Sequence, residues 1–398
     1  MKSILFKRLL VLLITLFVLC GDATSQPYLI GKTTITFTDP TRNNRSIPTD
    51  IYYPGIEAGA NIPVAGEPNT RFPLISFGHG FLTTVDTYAN IWDMLVPEGY
   101  VLVLPKTEGG FSPSHADFGK DLAFVIQSMN QLNGSSTSLF FNKISPMNCV
   151  MGHSMGGGAA HLAASGSTLI KAIATLAAAE TNPSSISAAS GIIIPSLVIA
   201  ASNDCITRPA NTQLPIYTAT KSDCKTYISI TGGSHCFMAN DNFNCNFGEA
   251  TCSPAPTISR TEQNNLIKKY LLPWLNYQLK NNCQEGKNFE IQMKEDTKIS
   301  FQNSCTYCLT SNAANLQADK SFQLYPNPFD EKIIFEKFTS FGNPLEVEIK
   351  SMDGKTMISQ TINRNKSIID TKGLQKGMYL FYIKKDRERS IRRIIKAD

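Results

Sequence analysis

Asn148-Cys149-Val150-Met151-Gly152-His153-Ser154-Met155-Gly156-Gly157-Gly158 reads as an apolar strand, a sharp turn carrying a serine, and the first turn of a helix. The run before Gly152 is continuously apolar, as in a strand buried on both faces, and Met155 to Ala164 is small and apolar in the manner of a packed helix. Glycines on both sides of Ser154 let the backbone reverse and approach the helix without Cβ clashes. A Gly-x-Ser-x-Gly pentapeptide is short, but between a strand and a helix it gains a mechanical meaning. Such an elbow lifts a serine hydroxyl above the sheet edge, at the positive end of the following helix. The alternative is a glycine-rich connection with an inert serine.

Working outward, apolar runs recur at Pro73 to Phe77, Tyr100 to Leu104, Ala172 to Ala178, Ser196 to Ala201 and Thr226 to Ile230. Helix-length segments with helical apolar spacing separate several of them, at Asp117 to Leu132 and Met155 to Ala164, with another after the last run at Glu262 to Leu279. Lys32 to Phe37 and Pro48 to Tyr53 alternate like half-exposed strands. The pattern predicts an α/β fold, a doubly wound parallel sheet with antiparallel strands at its start.

A serine hydroxyl needs a base to take its proton and a third group to fix that base's tautomer. There are five histidines. His153 adjoins the nucleophile and is expected to point elsewhere, His161 lies on the following helix, His115 precedes a helix, and His79 sits in a Gly-His-Gly turn. His235, in Thr231-Gly232-Gly233-Ser234-His235 just past the last strand, lies where a loop over the carboxyl ends of the strands delivers a base. Asp204, after the run Ser196 to Ala201, is the expected acid, with Glu180 as its rival. The oxyanion donors are expected to be the Met155 N–H and, after the early strand in Ser76-Phe77-Gly78-His79-Gly80-Phe81, the Phe81 N–H. No spacing suggests a metal site or a phosphate-cradling loop, so no cofactor is expected.

The chain opens with Lys2, Lys7 and Arg8, an apolar run from Leu9 to Leu19, and Ala23-Thr24-Ser25 before Gln26, a secretory signal peptide over residues 1–25. The run is too short for a stable membrane span, and bulky Leu19 before Cys20 argues against lipoprotein processing. Of ten cysteines, nine remain after processing. Disulfides are therefore expected, with Cys149 free in its buried strand. A Cys205–Cys236 bridge would tie the acid and base loops, Cys224 would join Cys283, Cys305 or Cys308, and Cys245 would close a small loop with Cys252. The formal charge of +5 divides unevenly: +2 lies in Met1 to Ser25 and +6 in Lys320 to Asp398, leaving about −3 between them. That gives no basis for nucleic-acid binding.

Around Gln302 to Lys320 the sequence turns polar and Asn-rich. Residues 309–319 are assigned as a linker between a catalytic domain at 26–308 and a small all-β domain at 320–398. In the latter, short strands are expected at Leu345 to Ile349, Lys355 to Ile358, Met378 to Ile383 and Ile391 to Ile395. Turns fall at Met352 to Lys355 and Gly373 to Gly377. The Tyr325-Pro326-Asn327-Pro328 opening, the Asp-Gly-Lys turn, Gly377-Met378-Tyr379-Leu380 and the basic end Arg392-Arg393-Ile394-Ile395-Lys396 resemble the C-terminal sorting domain of the Bacteroidota type IX secretion system. That resemblance implies the secretion machinery as a partner and a location outside the cell or on its surface. An accessory β-sandwich module is the alternative.

Residues 70 to 305 resemble the cutinase-like polyester hydrolases, including the poly(ethylene terephthalate) hydrolases, an α/β-hydrolase family. The similarity rests on Gly152 to Gly158, Asn133-Gly134-Ser135-Ser136, Pro195 to Ala200 leading into Asn203-Asp204, Leu214-Pro215-Ile216-Tyr217, and Ile230 to His235. It implies a secreted serine carboxylic ester hydrolase acting through an acyl-enzyme, with Phe81 in the place of the family's aromatic oxyanion residue. Where the family usually has a tryptophan against the acyl group, Ala179 stands here, followed by Glu180. These three positions, Phe81, Ala179 and Glu180, are the expected substrate contacts. Polyesters, small soluble esters and acylglycerols are the substrates to weigh, beside a peptidase or a non-catalytic surface binding protein on the same scaffold.

Overall fold

The computed structural model describes residues 27–308, 322–337, 344–351, 355–385 and 388–397. The expected signal peptide, the expected 309–319 linker and the expected turn at Met352 to Gly354 lie outside the described residues. The chain divides into two compact units, one running to Tyr307 and one starting at Cys308.

The first unit begins with a hairpin, β1 (Leu29–Asp39) and β2 (Arg45–Gly55), then β3 (Gly59–Ala60) and β4 (Phe72–Gly78). Helix α1 (Ala89–Leu95), β5 (Val101–Pro105), α2 (His115–Gly134), β6 (Ile144–His153), α3 (Met155–Ala164) and β7 (Ala172–Leu176) follow. Next come α4 (Ser185–Ala189), β8 (Ser196–Ala201), α5 (Gln213–Ala219), β9 (Lys225–Ile230), α6 (Phe243–Glu249), α7 (Arg260–Lys280), α8 (Cys283–Glu295) and β10 (Ile299–Asn303). The ten strands form one sheet in the order β10-β9-β8-β7-β6-β4-β5-β2-β1-β3. Its centre is parallel from β5 to β9, while β2 joins β5 antiparallel and β10 joins β9 antiparallel.

The apolar runs are continuous because both sheet faces are covered. Successive residues point opposite ways. Ile75, Leu102, Cys149 and Met151 enter one cluster with Trp92 of α1, Trp274 of α7 and Phe289 of α8. Their neighbours Leu74, Val101, Val103 and Val150 enter the other with Phe118, Leu122 and Val125 of α2 and Ala159 of α3. Cys149 is fully buried and free, and burial pushes its thiol well above the ordinary range, so it packs as a hydrophobe.

Two features departed from expectation. The polar text beginning at Gln302 starts inside the sheet, because Gln302 and Asn303 belong to β10 and Cys305 and Tyr307 are buried in the core. β10 is an edge strand with most side chains exposed, so its composition resembles a loop. Helix α8 also went unread; it is short and capped by Asn282, which accepts from the Gln284 and Glu285 N–H groups.

The hairpin is fastened to α2 by a buried carboxylate. Asp121 accepts from Arg45 Nε at 2.9 Å, Arg45 Nη2 at 2.7 Å and the Thr107 hydroxyl at 2.6 Å, with Arg42 Nη2 in an ion pair at 2.6 Å. The Asp121 side chain is fully buried.

The second unit is all-β. β11 (Phe322–Tyr325), β12 (Lys332–Lys337), β13 (Leu345–Ser351), β14 (Thr356–Ile362), β15 (Lys366–Asp370), β16 (Gly377–Lys385) and β17 (Glu388–Lys396) form a three-stranded sheet, β11-β12-β15, and a four-stranded one, β14-β13-β16-β17. Phe335 and Ile369 of the first sheet share one core with Val347, Phe381 and Ile394 of the second. Among the described residues no helix is long and apolar enough to cross a membrane.

Asp121→Ala removes the carboxylate that Arg42, Arg45 and Thr107 share, leaving Arg42 to Asp39 and Arg45 to Glu108, so it should destabilise the first unit by about 1–3 kcal/mol in a denaturant titration.

Candidate active site

Ser154 occupies the turn between β6 and α3 with φ 55° and ψ −122°, a strained conformation for a non-glycine residue. The surrounding hydrogen bonds hold it there. Its N–H donates to Leu176 O at 3.0 Å, and its carbonyl accepts from Gly158 N at 3.0 Å and Ala179 N at 2.9 Å. Close backbone approach explains two of the neighbouring glycines. A Cβ on Gly152 would sit 2.3 Å from Gly156 O, and one on Gly156 would sit 2.1 Å from Gly78 O.

His235 follows β9 and Asp204 follows β8, so adjacent parallel strands deliver both residues to the carboxyl end of the sheet. His235 Nδ1 lies 2.7 Å from Asp204 Oδ2, and both side chains are buried. That bond assigns the Nδ1–H tautomer and leaves Nε2 as the acceptor. Asp204 Oδ1 accepts from the Ile206 and Thr207 N–H groups at 2.9 and 2.8 Å. Burial alone would raise the Asp204 carboxyl, but attraction to His235, their hydrogen bond and the two bonds from Thr207 hold it below the usual carboxylate range.

Glu180, the rival acid, is engaged elsewhere. Its carboxylate accepts from Ser185 Oγ at 2.7 Å and Ile186 N at 3.1 Å at the start of α4. Burial would raise it, and the bonds from Ser184, Ser185, Ile186 and Thr181 more than offset that. Ala179 lies directly beside Ser154, through its N–H bond to Ser154 O.

β4 and β6 are paired at Gly78 and Gly152, so the loop carrying Phe81 emerges next to the elbow. Gly80 N donates to Tyr88 Oη at 2.7 Å, and Thr83 N to Gly80 O at 3.3 Å. Among the described residues neither the Phe81 nor the Met155 N–H has a partner within the protein. The Phe81 ring is half exposed.

Three other histidines have structural partners: His79 lies between the Gly80 and Thr107 carbonyls, His161 bonds Gly157 O, and His115 accepts from Asn182 N. His153 does not point away, contrary to expectation. Its ring centroid lies 4.7 Å from that of His235, and its Nδ1 lies 2.9 Å from the Tyr88 hydroxyl. Burial, and then the neighbouring His235, hold it far below the ordinary histidine range, so it stays uncharged. Tyr88 thus links the loop of Phe81 to a neutral ring that is tilted 44° against the ring of His235.

Two more residues escaped the sequence reading. The Thr207 hydroxyl lies 2.8 Å from Asp204 Oδ2 and 3.0 Å from His235 Nδ1, and it accepts from Gln213 Nε2 at 3.0 Å. Its position three residues after Asp204 is the spacing of a local side-chain turn, which was a usable signal. Glu249, at the end of α6, accepts from His235 N at 2.8 Å and Ser234 Oγ at 3.1 Å. Nothing in the local sequence marks it.

The disulfides correct the expected pairing. Cys205 joins Cys252 and Cys236 joins Cys245, so neither a Cys205–Cys236 nor a Cys245–Cys252 bridge forms. The loops of Asp204 and His235 are each stapled to the segment carrying α6, which lies within bridging reach of both, at Cα separations of 5.6 Å. Cys224 joins Cys305, one of its three expected partners, and Cys283 and Cys308 are also disulfide-bonded. Among the described residues no group of three or more His, Cys, Asp or Glu side chains could hold a metal ion.

A parallel sheet flanked by helices, with a serine on a strand-to-helix elbow at its carboxyl end, defines an α/β-hydrolase. Residues 53–253 match the model of the PET hydrolase-like family, and the chain belongs to that family. Residues 323–397 match a secretion system C-terminal sorting domain. The protein is therefore a hydrolase exported by the type IX route of Bacteroidota to the extracellular space or cell surface. No curated protein matches the chain.

Glu249→Ala would leave the His235 N–H without its charged acceptor. Steady-state assays on a short-chain chromogenic ester should show kcat reduced about 10-fold or more, with KM little changed.

Proposed function

We propose that the protein is a serine carboxylic ester hydrolase working through an acyl-enzyme, with Ser154 as nucleophile, His235 as base and Asp204 as the group that orients it. The observation that carries this reading is the buried 2.7 Å bond from His235 Nδ1 to Asp204 Oδ2, on loops beside the strained turn of Ser154. In this mechanism His235 Nε2 takes the Ser154 Oγ proton as Oγ adds to the ester carbonyl carbon. The oxyanion is held by the Met155 and Phe81 N–H groups, which have no competing partner among the described residues. Collapse breaks the ester C–O bond, and the leaving alkoxide receives the proton from Nε2. Water then attacks the acyl-enzyme with the same proton transfers and regenerates Ser154. Asp204, kept below the usual carboxylate range, retains the charge that stabilises the transient imidazolium.

The catalytic domain is read as residues 26–308 on a doubly wound sheet. Residues 1–25 form a signal peptide, 309–319 a linker and 320–398 the sorting domain. Support for double winding comes from the two core clusters that adjacent strand residues enter alternately. For the substrate, membership of the PET hydrolase-like family supports a polyester. Small soluble esters are the second reading, favoured by Ala179, which offers an acyl group no aromatic wall beside Ser154.

Incubation with a serine-directed organophosphate should label Ser154 stoichiometrically and abolish ester turnover, and Ser154→Ala should lower kcat on the order of 10⁴-fold or more. Soluble products from amorphous polyester film that vanish with Ser154→Ala would establish the polyesterase. Turnover of chromogenic ester alone would establish a small-ester esterase, and inactivity on both would refute the hydrolytic reading.

A further inference from the structure

Helix α6 presents Phe243 and Phe247 to solvent at 78% and 75% exposure, with ring centroids 6.0 Å apart and planes only 22° from parallel. Large apolar side chains this exposed and this close together usually mark a contact surface. Their support is rigid. Cys236–Cys245 ties the first turn of α6 to the loop of His235, and Cys205–Cys252 ties the chain just after α6 to the loop of Asp204. Asn244, between the two rings, donates from Nδ2 to Leu82 O at 2.7 Å, fastening the helix to the loop of Phe81. On another side, half-exposed Ile206 Cδ1 lies 3.9 Å from the place a Cβ on Gly248 would take. Phe81, Ile206, Phe243 and Phe247 thus form an exposed apolar rim carried on elements that are fastened to one another and to the loops of the candidate active site.

We propose that this rim is a docking surface for the solid face of a water-insoluble ester polymer, holding the enzyme where a chain segment can reach Ser154. The inference rests on the ester-hydrolase reading and deepens it by naming the physical state of the substrate. Three observations select this occupant. Between Cys236 and Ile258 the only charged residues are Asp241 and Glu249, and the Arg260 guanidinium beside α6 is engaged with Asp241 at 3.2 Å and Asn246 at 3.1 Å, so the segment itself supplies no cation for an anionic lipid headgroup or a polyanion. Glu249 is turned inward onto the His235 N–H, leaving the outer face nearly neutral. The two staples also fix α6 in place, so it does not serve as a lid that closes over a soluble ligand. A pre-ordered pair of near-parallel rings suits a flat, rigid partner, because little ordering entropy is lost on contact.

The test measures adsorption apart from turnover. The full chain carrying Ser154→Ala is titrated onto amorphous polyester film and onto neutral phosphatidylcholine vesicles, with and without Phe243→Ser and Phe247→Ser together. Turnover of a soluble chromogenic ester is followed with Ser154 intact. Removing both rings should weaken film adsorption about 10-fold or more and leave soluble-ester kcat/KM unchanged. Phe243→Trp and Phe247→Trp should restore film adsorption. Unchanged adsorption overturns the proposal, as does a parallel loss of soluble-ester turnover, which would make the rings part of the site's framework. Vesicle binding that matches film binding and disappears with the rings overturns the polymer assignment in favour of a lipid surface. If the intact chain cleaves no ester, the hydrolase reading fails, while the adsorption series on Ser154→Ala still decides the docking surface.

Discussion

The backbone contact between Gly78 and Gly156 sets the geometry on which the rest of the site depends. With no Cβ on either residue, the first turn of α3 can lie against the end of β4, bringing the loop of Phe81 beside the elbow of Ser154. Ser154 accepts its left-handed backbone because Leu176, Gly158 and Ala179 supply partners to both its N–H and its carbonyl. Strain of this kind persists only where the surroundings over-determine it. Here the constraint spans three adjacent parallel strands, β4, β6 and β7, so it is a property of the whole sheet.

From that contact the site extends along the carboxyl edge. β8 and β9 bring Asp204 and His235 side by side, and two layers keep the imidazole in place. One is electrostatic: Asp204 and Thr207 around Nδ1, and the Glu249 carboxylate on the backbone N–H. The other is uncharged: the His153 ring, itself tied through Tyr88 to Gly80 in the loop of Phe81. A charged neighbour at His153 would compete with the imidazolium that the proposed acyl transfer requires, and burial prevents one from forming.

Much of this was legible in the sequence where the chemistry is local. The continuous apolar runs announced strands covered on both faces, and the glycine-flanked serine announced the elbow. Chain order brought out Asp204 and His235. The parts that were not legible arise from folding back over distance. Glu249 lies 14 residues beyond His235 in a polar stretch without periodicity, and it becomes a partner only because the stapled segment returns over the base loop. The disulfide pairing failed for the same reason, since neighbouring strand ends suggested a direct bridge and gave no sign of a helix between them. β10 was hidden by its exposed, polar side chains, which follow from its position at the sheet edge.

Export gives the stapled segment its physical setting. A polar stretch with a seven-residue helix and two exposed phenylalanines buries little apolar surface of its own, so packing alone would order it weakly. Two cross-links remove that dependence by restricting the unfolded chain, and outside the cell they persist. Cys149, buried in β6 with no route to oxidation, stays apart from this chemistry. The sorting domain and the staples are therefore physically connected: a segment that holds His235 through Glu249, with its apolar side turned outward, needs the oxidising exterior to which that domain delivers it.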